Sequence, residues 1–95
     1  MAWHTADAAA YDMQLIAEDG LVTFGENHVR EYVGRLIDMF EMLADHPYMA
    51  TERQASQSLV RLMPCGSHHI LYVVDNEDVI VLRVLRGLQN WFELL

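Results

Sequence analysis

Residues 26–47, ENHVREYVGRLIDMFEMLADHP, contain the clearest periodic pattern in the chain. Apolar side chains recur there at steps of three and four, which places them on one face of a helix. They are Val29, Tyr32, Val33, Leu36, Ile37, Phe40 and Leu43. His46-Pro47 ends the pattern, because the residue before a proline avoids helical geometry. This stretch therefore predicts an amphipathic helix with one face in a core.

Another helix is predicted on the N-terminal side of this one. Its apolar positions follow the same spacing and are Ala9, Met13, Ile16 and Ala17. We expect Thr5 to cap its N-terminus, Asp7 to lie in its first turn, and Gly20 to end or weaken it. Residues 1–4 are either a short strand or an irregular start. Residues 5–46 therefore predict an antiparallel helical hairpin.

Downstream of the hairpin the pattern changes from helical spacing to alternation. After a polar loop, three strands are predicted, at residues 59–63, 68–74 and 79–85. Pro64 ends the first strand, and an acidic turn at 75–78 joins the other two. The sequence therefore predicts one α+β domain with two layers, in which the hairpin packs on an antiparallel sheet of residues 59–86. The predicted element order is β-α-α-β-β-β.

The last predicted strand has two unequal faces. Ile80, Leu82 and Val84 form a wholly apolar face, and we expect the helices to cover it. Arg83 alternates onto the other face, together with Val79, Val81 and Leu85. That open face is still apolar enough to need a partner. On this assignment Leu36→Asp unfolds the domain, whereas Val81→Asp spares folding and weakens a complex.

Composition excludes several classes of protein. The chain has 95 residues, with 14 acids against 6 bases and a formal charge of −8, and every base is arginine. Such a balance argues against a general nucleic-acid binder and against direct DNA binding by this chain. No apolar run is long enough to span a membrane, and no secretion signal is visible. One cysteine excludes an internal disulfide and fits the cytoplasm, where we expect the protein to act.

Arginines and aromatic residues near the C-terminus are the candidate binding residues. Arg83 and Arg86 leave the sheet close together, and Arg61 lies two strands away. They form either an anion-seeking patch or a set of cations neutralised by acids of the same chain, and both readings stay open. Trp91 and Phe92, in the tail 88–95, are either a core plug or an anchor for a partner.

No catalytic group, metal or cofactor is predicted. The five histidines and Cys65 lack the paired spacing of a metal site. Cys65 is interpreted as a small turn residue rather than a nucleophile. Asp75, Glu77 and Asp78 are interpreted as a solvated loop rather than an acid–base pair.

Several stretches in collinear order carry a resemblance to a known family. They are Ala9-x-x-Asp12-Met13-x-x-Ile16, Phe24-Gly25, Leu43–Met49, Val60-Arg61, Pro64–Tyr72 and Val79–Gly87. Together they span about residues 9 to 88. In these stretches the chain resembles the RelE/ParE superfamily of bacterial toxins, and the ParE branch in particular.

The resemblance implies a small toxin of a type II toxin–antitoxin system that binds and inhibits DNA gyrase. A cognate ParD-like antitoxin would neutralise it in a hetero-oligomeric complex. On this reading Arg83, Arg86, Trp91 and Phe92 contact the target, while Arg61 and the open sheet face (Val79, Val81 and Leu85) contact the antitoxin. Two alternatives remain: a RelE-like ribosome-dependent mRNA endonuclease, and a non-toxic relative that only binds its antitoxin. The absence of lysine disfavours the endonuclease.

Overall fold

The computed structural model describes residues 2–54 and 59–87, and these form two helices and a five-stranded sheet. The elements are β1 (Trp3–Thr5), α1 (Asp7–Phe24), α2 (Glu26–Asp45), β2 (Glu52–Gln54), β3 (Leu59–Cys65), β4 (His68–Asp75) and β5 (Asp78–Leu85). The strand order is β1-β5-β4-β3-β2. β1 runs parallel to β5, and the other neighbours are antiparallel. The predicted α+β class, a helical hairpin on a sheet, is confirmed.

The start of α1 differs from the prediction. Thr5 belongs to β1, where it pairs with Val81, so it is not the cap of the helix. The residue before α1 is Ala6, whose methyl group offers no capping oxygen; its N–H bonds to the carbonyl of Val81 (2.8 Å). Pairing with the sheet, rather than a side-chain cap, therefore fixes where α1 begins. Asp7 lies in the first turn, as predicted.

The end of α1 also differs, because the helix runs through Gly20 to Phe24. A Cβ atom on Gly20 would lie 2.2 Å from Cγ2 of Val29 in α2. The missing side chain therefore allows the two helices to approach closely, and Gly20 is not a helix terminator. Gly25, with φ +90°, joins α1 to α2 as the one residue between them.

The second helix has the predicted bounds and the predicted buried face. Leu36, Phe40 and Leu43 are fully or almost fully buried. They share one core cluster with Ala9 of α1 and with residues from β4 and β5. His46 follows the last helical turn, and its N–H bonds to the carbonyl of Met42 (2.9 Å).

Two predicted strand boundaries need correction. Glu52–Gln54, predicted as loop, forms the short edge strand β2 against β3. Its side chains are exposed, so no apolar alternation signalled it. β3 continues through Pro64 to Cys65 instead of ending at Met63. A proline is tolerated there because β2 pairs only with residues 59–61, which leaves the amide side of Pro64 without a neighbouring strand among the described residues.

A bulge in β5 changes which residues face the helices. Leu71 pairs with Arg83, but the next residue, Tyr72, pairs with Val81. Leu82 is therefore an extra residue in β5, and the alternation shifts by one beyond it.

The predicted assignment of sheet faces is therefore wrong for Val79 and Val81, whereas Val84 faces the helices as predicted. Val79 and Val81 are 0% exposed and belong to the core cluster beneath the helices, and Val84 joins them after the bulge. Leu85 alternates away from Val84 and is also buried. In the folded chain these residues form packed interior rather than a surface awaiting an antitoxin.

The second sheet face carries its own apolar cluster. Its buried members are Val60, Leu62 and Leu71, which are 1%, 8% and 0% exposed. Val73 and Leu82 pack against them. No helical residue within 2–54 belongs to this cluster. Because its members are buried, the prediction of a bare apolar sheet face is wrong as well.

The predicted tail 88–95, with Trp91 and Phe92, lies outside the described residues. Neither helix of the described chain is long and apolar enough to cross a membrane.

Candidate protein-interaction groove

A groove of about 420 Å³ opens beside the helical hairpin, near one end of the sheet. One wall is a stripe of α1 at helical spacing that includes Asp12, Ile16 and Thr23. The N-terminal half of α2 forms the second wall. The β3–β4 turn and the end of β5 close the groove with polar groups. The groove therefore has apolar sides and a polar end.

Tyr32, on α2, connects the hairpin to the β3–β4 turn. Its hydroxyl accepts a hydrogen bond from the N–H of Ser67 (2.9 Å) and lies 2.5 Å from Nδ1 of His68. The centres of the Tyr32 and His68 rings lie 5.4 Å apart, and the Arg35 guanidinium lies 6.0 Å from the centre of the Tyr32 ring. These contacts fix the turn against α2 at the rim of the groove.

Gly66 makes this contact possible. Gly66-Ser67 is a two-residue hairpin loop between the paired residues Cys65 and His68. Gly66 has φ +60°, as the first central residue of a type II′ turn requires. A Cβ atom there would lie 2.8 Å from the Tyr32 ring. Both the backbone conformation and the close approach of Tyr32 therefore require glycine at this position.

His68 is held in its neutral form. Burial lowers the pKa of His68 below its usual value, and the nearby positive charge of Arg86 lowers it further. The neighbouring His69 acts in the same direction, whereas Asp12 opposes the shift. The Tyr32 hydroxyl and Nδ1 of His68 share one hydrogen bond, in which either group can be the donor, because a neutral imidazole carries its proton on either nitrogen.

Asp12 ties α1 to the edge of β5. It accepts hydrogen bonds from Nε (2.7 Å) and Nη2 (3.0 Å) of Arg83 and from the main-chain N–H of Val84 (2.9 Å). β1 pairs with β5 only as far as Val81, so the Asp12 carboxylate replaces the strand partner that Val84 lacks. Hydrogen bonding to Asp12 also raises the pKa of Arg83. Of the two interpretations of Arg83, the correct one is therefore a cation neutralised by an acid of the same chain.

Arg86 differs from Arg83. It is exposed, it lines the groove, and it forms no ion pair within residues 2–54 and 59–87. The Asp12 carboxylate nearby is already bonded to Arg83. Asp19 is the other acid on the lining. Among the residues that the structure describes, Arg86 is thus a cation without an ion-pair partner at the polar end of the groove.

The apolar walls are partly open to solvent. Phe24, at the end of α1, is 65% exposed, and its ring lies 5.0 Å from the ring of His28. Leu15 is also exposed, while Ile16 and Val29 are half-buried deeper in the groove. An exposed aromatic ring beside aliphatic side chains is typical of a surface that binds another molecule.

Arg61 has a structural role at the opposite end of α2. Its guanidinium donates to the carbonyls of Ala50 and of Tyr48 (3.4 Å) and lies 5.1 Å from the centre of the Tyr48 ring. An ion pair with Glu52 adds to these contacts (3.5 Å). Beside it, Tyr72 donates to the carbonyl of Pro47 (2.9 Å). Arg61 therefore holds the segment between α2 and β2, and its side chain does not join Arg83 and Arg86 in one patch.

Cys65 is not activated as a nucleophile. It is buried, and its Sγ lies 3.9 Å from the carbonyl oxygen of Arg35. Burial raises the pKa of the thiol, and the charge of Arg35 only partly offsets this.

Sequence reasoning found Arg86 but missed the residues around it. The sequence predicts Tyr32 only as a core residue, and it gives His68, like the other four histidines, no metal-binding spacing. Asp12 carried a usable signal, because it is a carboxylate among the apolar positions that define the inner face of α1. No sequence pattern shows that this face lies against the edge of β5.

Comparison with known proteins agrees with the fold and identifies the family. Residues 5–91 match the family model described as the ParE toxin of the type II toxin–antitoxin system parDE. No curated protein matches the chain significantly. Among solved structures, one described as the chromosomal ParDE TA system from P. aeruginosa matches with a TM-score of 0.79 and 18% identity. That match covers 93% of this chain and 97% of the other, and at this identity it shows the fold. Since the family model spans nearly the whole sequence, the chain belongs to the family of ParE toxins of type II toxin–antitoxin systems.

Proposed function

We propose that this protein is the toxin of a toxin–antitoxin pair and that it acts in the cytoplasm by binding and inhibiting DNA gyrase. The family match over residues 5–91 carries the proposal. A cognate ParD-like antitoxin binds the toxin and neutralises it. The related structure comes from a system that pairs ParE with ParD, which supports an antitoxin partner here.

The groove supports action by protein–protein contact. Arg86 offers a cation that forms no ion pair with an acid of residues 2–54 and 59–87, and Phe24 offers an exposed aromatic ring elsewhere on the groove lining. Arg83 is held by Asp12 and anchors the end of β5 to α1. We therefore assign Arg86 to the target-binding surface, with Arg83 as a positioning residue. Trp91 and Phe92, which lie outside the described residues, also contact the target in this proposal.

The protein acts without catalysis in this proposal. Cys65 is a protonated, buried thiol, and His68 is neutral and bonded to Tyr32. Cleavage of RNA needs several cationic groups around the scissile phosphate, whereas Arg86 is the one arginine on the groove lining that the structure describes.

The test is inhibition of gyrase supercoiling by the purified, folded toxin. We expect inhibition at micromolar toxin and a loss of about tenfold in potency for Arg86→Gln, since a charged contact at an interface contributes more than 1 kcal/mol. Arg53→Gln is the matched control, because Arg53 is an exposed arginine on β2, remote from the groove. Absence of inhibition by the folded wild-type protein would reject gyrase as the target.

The alternatives give different results in parallel assays. Cleavage of mRNA in a translating extract, abolished by Arg86→Gln, would show an endonuclease. Harmless expression together with a tight antitoxin complex would show a non-toxic relative. The antitoxin itself is identified by co-purification with the product of the adjacent reading frame.

A further inference from the structure

Polar side chains meet around the β3–β4 turn, at the end of the sheet. His68 is the first residue of β4, and its side chain faces the helices, where it contacts Tyr32. The next residue, His69, pairs with Leu85 of β5. Because the two strands are antiparallel, Arg86 follows Leu85 at the level of His68. Arg86 therefore lies close to His68, which agrees with the effect of its charge on the pKa of that imidazole.

The second helix brings another unpaired cation to the same turn. The main-chain carbonyl oxygen of Arg35 lies 3.9 Å from Sγ of Cys65, the residue before the turn. The guanidinium of Arg35 lies 6.0 Å from the centre of the Tyr32 ring. Arg35 is exposed and, like Arg86, forms no ion pair with an acid of residues 2–54 and 59–87. Two unpaired arginines, one from α2 and one from the end of β5, therefore flank the turn.

Two further polar groups at the turn are available to a ligand. Nδ1 of His68 is bonded to Tyr32, whereas Nε2 has no partner among the described residues and is not buried. Ser67 is exposed, and its main-chain N–H donates to Tyr32. The Ser67 hydroxyl makes no hydrogen bond within residues 2–54 and 59–87. An imidazole with its proton on Nε2 and a hydroxyl group are both donors, so each can add a hydrogen bond to an oxyanion held by Arg86.

The acids on the groove lining do not cancel this positive charge. The carboxylate of Asp12 is bonded to two nitrogens of Arg83, so its charge is offset within that pair. Asp19 lies seven residues further along α1, which is about 10 Å along the helix axis and towards the connection to α2. An anion at the β3–β4 turn therefore meets the field of Arg86 and Arg35 with little opposition from the lining.

We propose that the β3–β4 turn is a binding site for a phosphate group, in which Arg86 forms the ion pair and His68 and Ser67 donate hydrogen bonds. A guanidinium group matches two phosphate oxygens at once, which is why arginine is common at phosphate sites. A phosphate group carries at least three acceptor oxygens, enough for all three side chains together. Arg35 strengthens the positive field from α2. The proposal goes beyond inhibition of gyrase and holds whichever protein the toxin inhibits.

Two sources of the phosphate group fit the turn, and the adjoining groove distinguishes them. Free inorganic phosphate uses the turn alone. A nucleoside monophosphate also places its ring system in the groove of about 420 Å³, whose lining includes Val29 and the exposed ring of Phe24. Bases stack on aromatic side chains, so these contacts add to the affinity of a nucleotide. A long polyanion is disfavoured, because the chain has a formal charge of −8.

The test is a titration of the isotope-labelled toxin, followed by NMR at pH 7.5 and constant ionic strength. The probes are inorganic phosphate, AMP and, as the neutral control, adenosine. We expect phosphate to bind with a Kd of about 1–10 mM and to shift the signals of Ser67, His68 and Arg86. Binding of AMP at least about tenfold tighter, with added shifts at Phe24 and Val29, identifies a nucleotide as the ligand. Equal binding of phosphate and AMP identifies free phosphate.

Three arginine variants test which cations hold the phosphate group. Arg86→Gln is expected to weaken phosphate binding about tenfold, and Arg35→Gln about threefold, because Arg35 acts from a greater distance. Arg53→Gln is the matched control and keeps the wild-type affinity, since Arg53 is exposed on β2, three strands away from β5. Arg35 and Arg86 are exposed and unpaired within the described residues, so their variants fold, and amide dispersion verifies this. Absence of binding by both anions, or equal weakening in Arg53→Gln and Arg86→Gln, would overturn the proposal.

His68 provides a second readout in the same titration. The groups that act on it are Arg86 after β5, Asp12 on α1, Tyr32 on α2 and its neighbour His69. A bound phosphate dianion opposes the field of Arg86 and favours the protonated imidazole. We therefore expect the pKa of His68 to rise when phosphate binds, to stay unchanged with adenosine, and to respond less in Arg86→Gln. A constant pKa of His68 at saturating phosphate would show that the anion binds elsewhere and would reject the site at the turn.

Discussion

Asp12 shows how one side chain can join two layers of a small protein. Its carboxylate receives three hydrogen bonds from two consecutive residues of β5, and the Arg83 contact is bidentate, with both distances at or below 3.0 Å. These donors replace the water that the carboxylate loses on burial. The contact also closes part of the β5 edge, where β1 has already ended. Without such a cap, the exposed N–H groups of β5 would be open to pairing with another chain.

At the residue scale, we predict that Asp12→Ala destabilises the fold by about 2–4 kcal/mol, because it leaves the Val84 N–H unsatisfied and the half-buried Arg83 cation unpaired. The free energy of unfolding, from urea titration, measures this. Asp38→Ala is the control, since Asp38 is exposed on α2, and it should change stability by no more than about 0.5 kcal/mol. Equal effects of the two variants would show that the Asp12 contacts contribute nothing net.

At the scale of elements, the sequence predicts the helices and strands that follow from local periodicity. It does not predict features that depend on contacts between distant parts of the chain. The bounds of α2 follow from its apolar spacing and from Pro47. The bulge at Leu82 could not be read from Val79–Leu85, because every alternation of that apolar run is compatible with a strand. It is visible only in the pairing of Leu71 and Tyr72 with β5. This one inserted residue puts Val79 and Val81 on the same face as Val84, where simple alternation predicts opposite faces.

The same limit applies to the candidate groove. Arg86 can be singled out as a cation in an acidic chain, but its lack of an ion pair among the described residues depends on Asp12 being bonded to Arg83. That contact joins residues 71 positions apart, and a single sequence gives no register for it. Gly66 likewise indicated a turn, whereas its contact with Tyr32 depends on how α2 packs.

Two glycines in the helices give opposite predictions for the same substitution. Gly20→Ala places a methyl group against Val29 at 2.2 Å, and Val29 has little rotamer freedom within a helix. We expect a net loss of about 1–2 kcal/mol, because overpacking outweighs the gain in helix propensity. Gly34→Ala meets nothing within 4 Å and should stabilise the fold by up to about 1 kcal/mol. Thermal and urea unfolding of the two variants test this. Stabilisation by both substitutions would show that α1 and α2 move apart to fit the added methyl group without a loss in the free energy of unfolding.

At the scale of the whole molecule, the helices and the sheet share one main core, and a smaller cluster occupies the other sheet face. An obligate partner was inferred from a bare sheet face, and that inference does not hold, because Val60, Leu62 and Leu71 are buried. The apolar surface that remains exposed includes the outer part of the hairpin, with Val22 89% exposed. The exposed apolar surface that is available to a partner therefore lies on the hairpin and its groove rather than on the sheet.

This revised distribution of surface and core predicts the outcome of paired aspartate substitutions. Val81 is 0% exposed beneath the helices, so Val81→Asp buries a charge without a partner and should unfold the domain as completely as Leu36→Asp does. Val22→Asp, at an exposed position of α1, should leave the fold intact within about 1 kcal/mol. Circular dichroism and amide dispersion in NMR spectra distinguish folded from unfolded protein. A folded Val81→Asp variant would restore the original assignment of faces, in which Val81 meets a partner, and would contradict the bulge at Leu82.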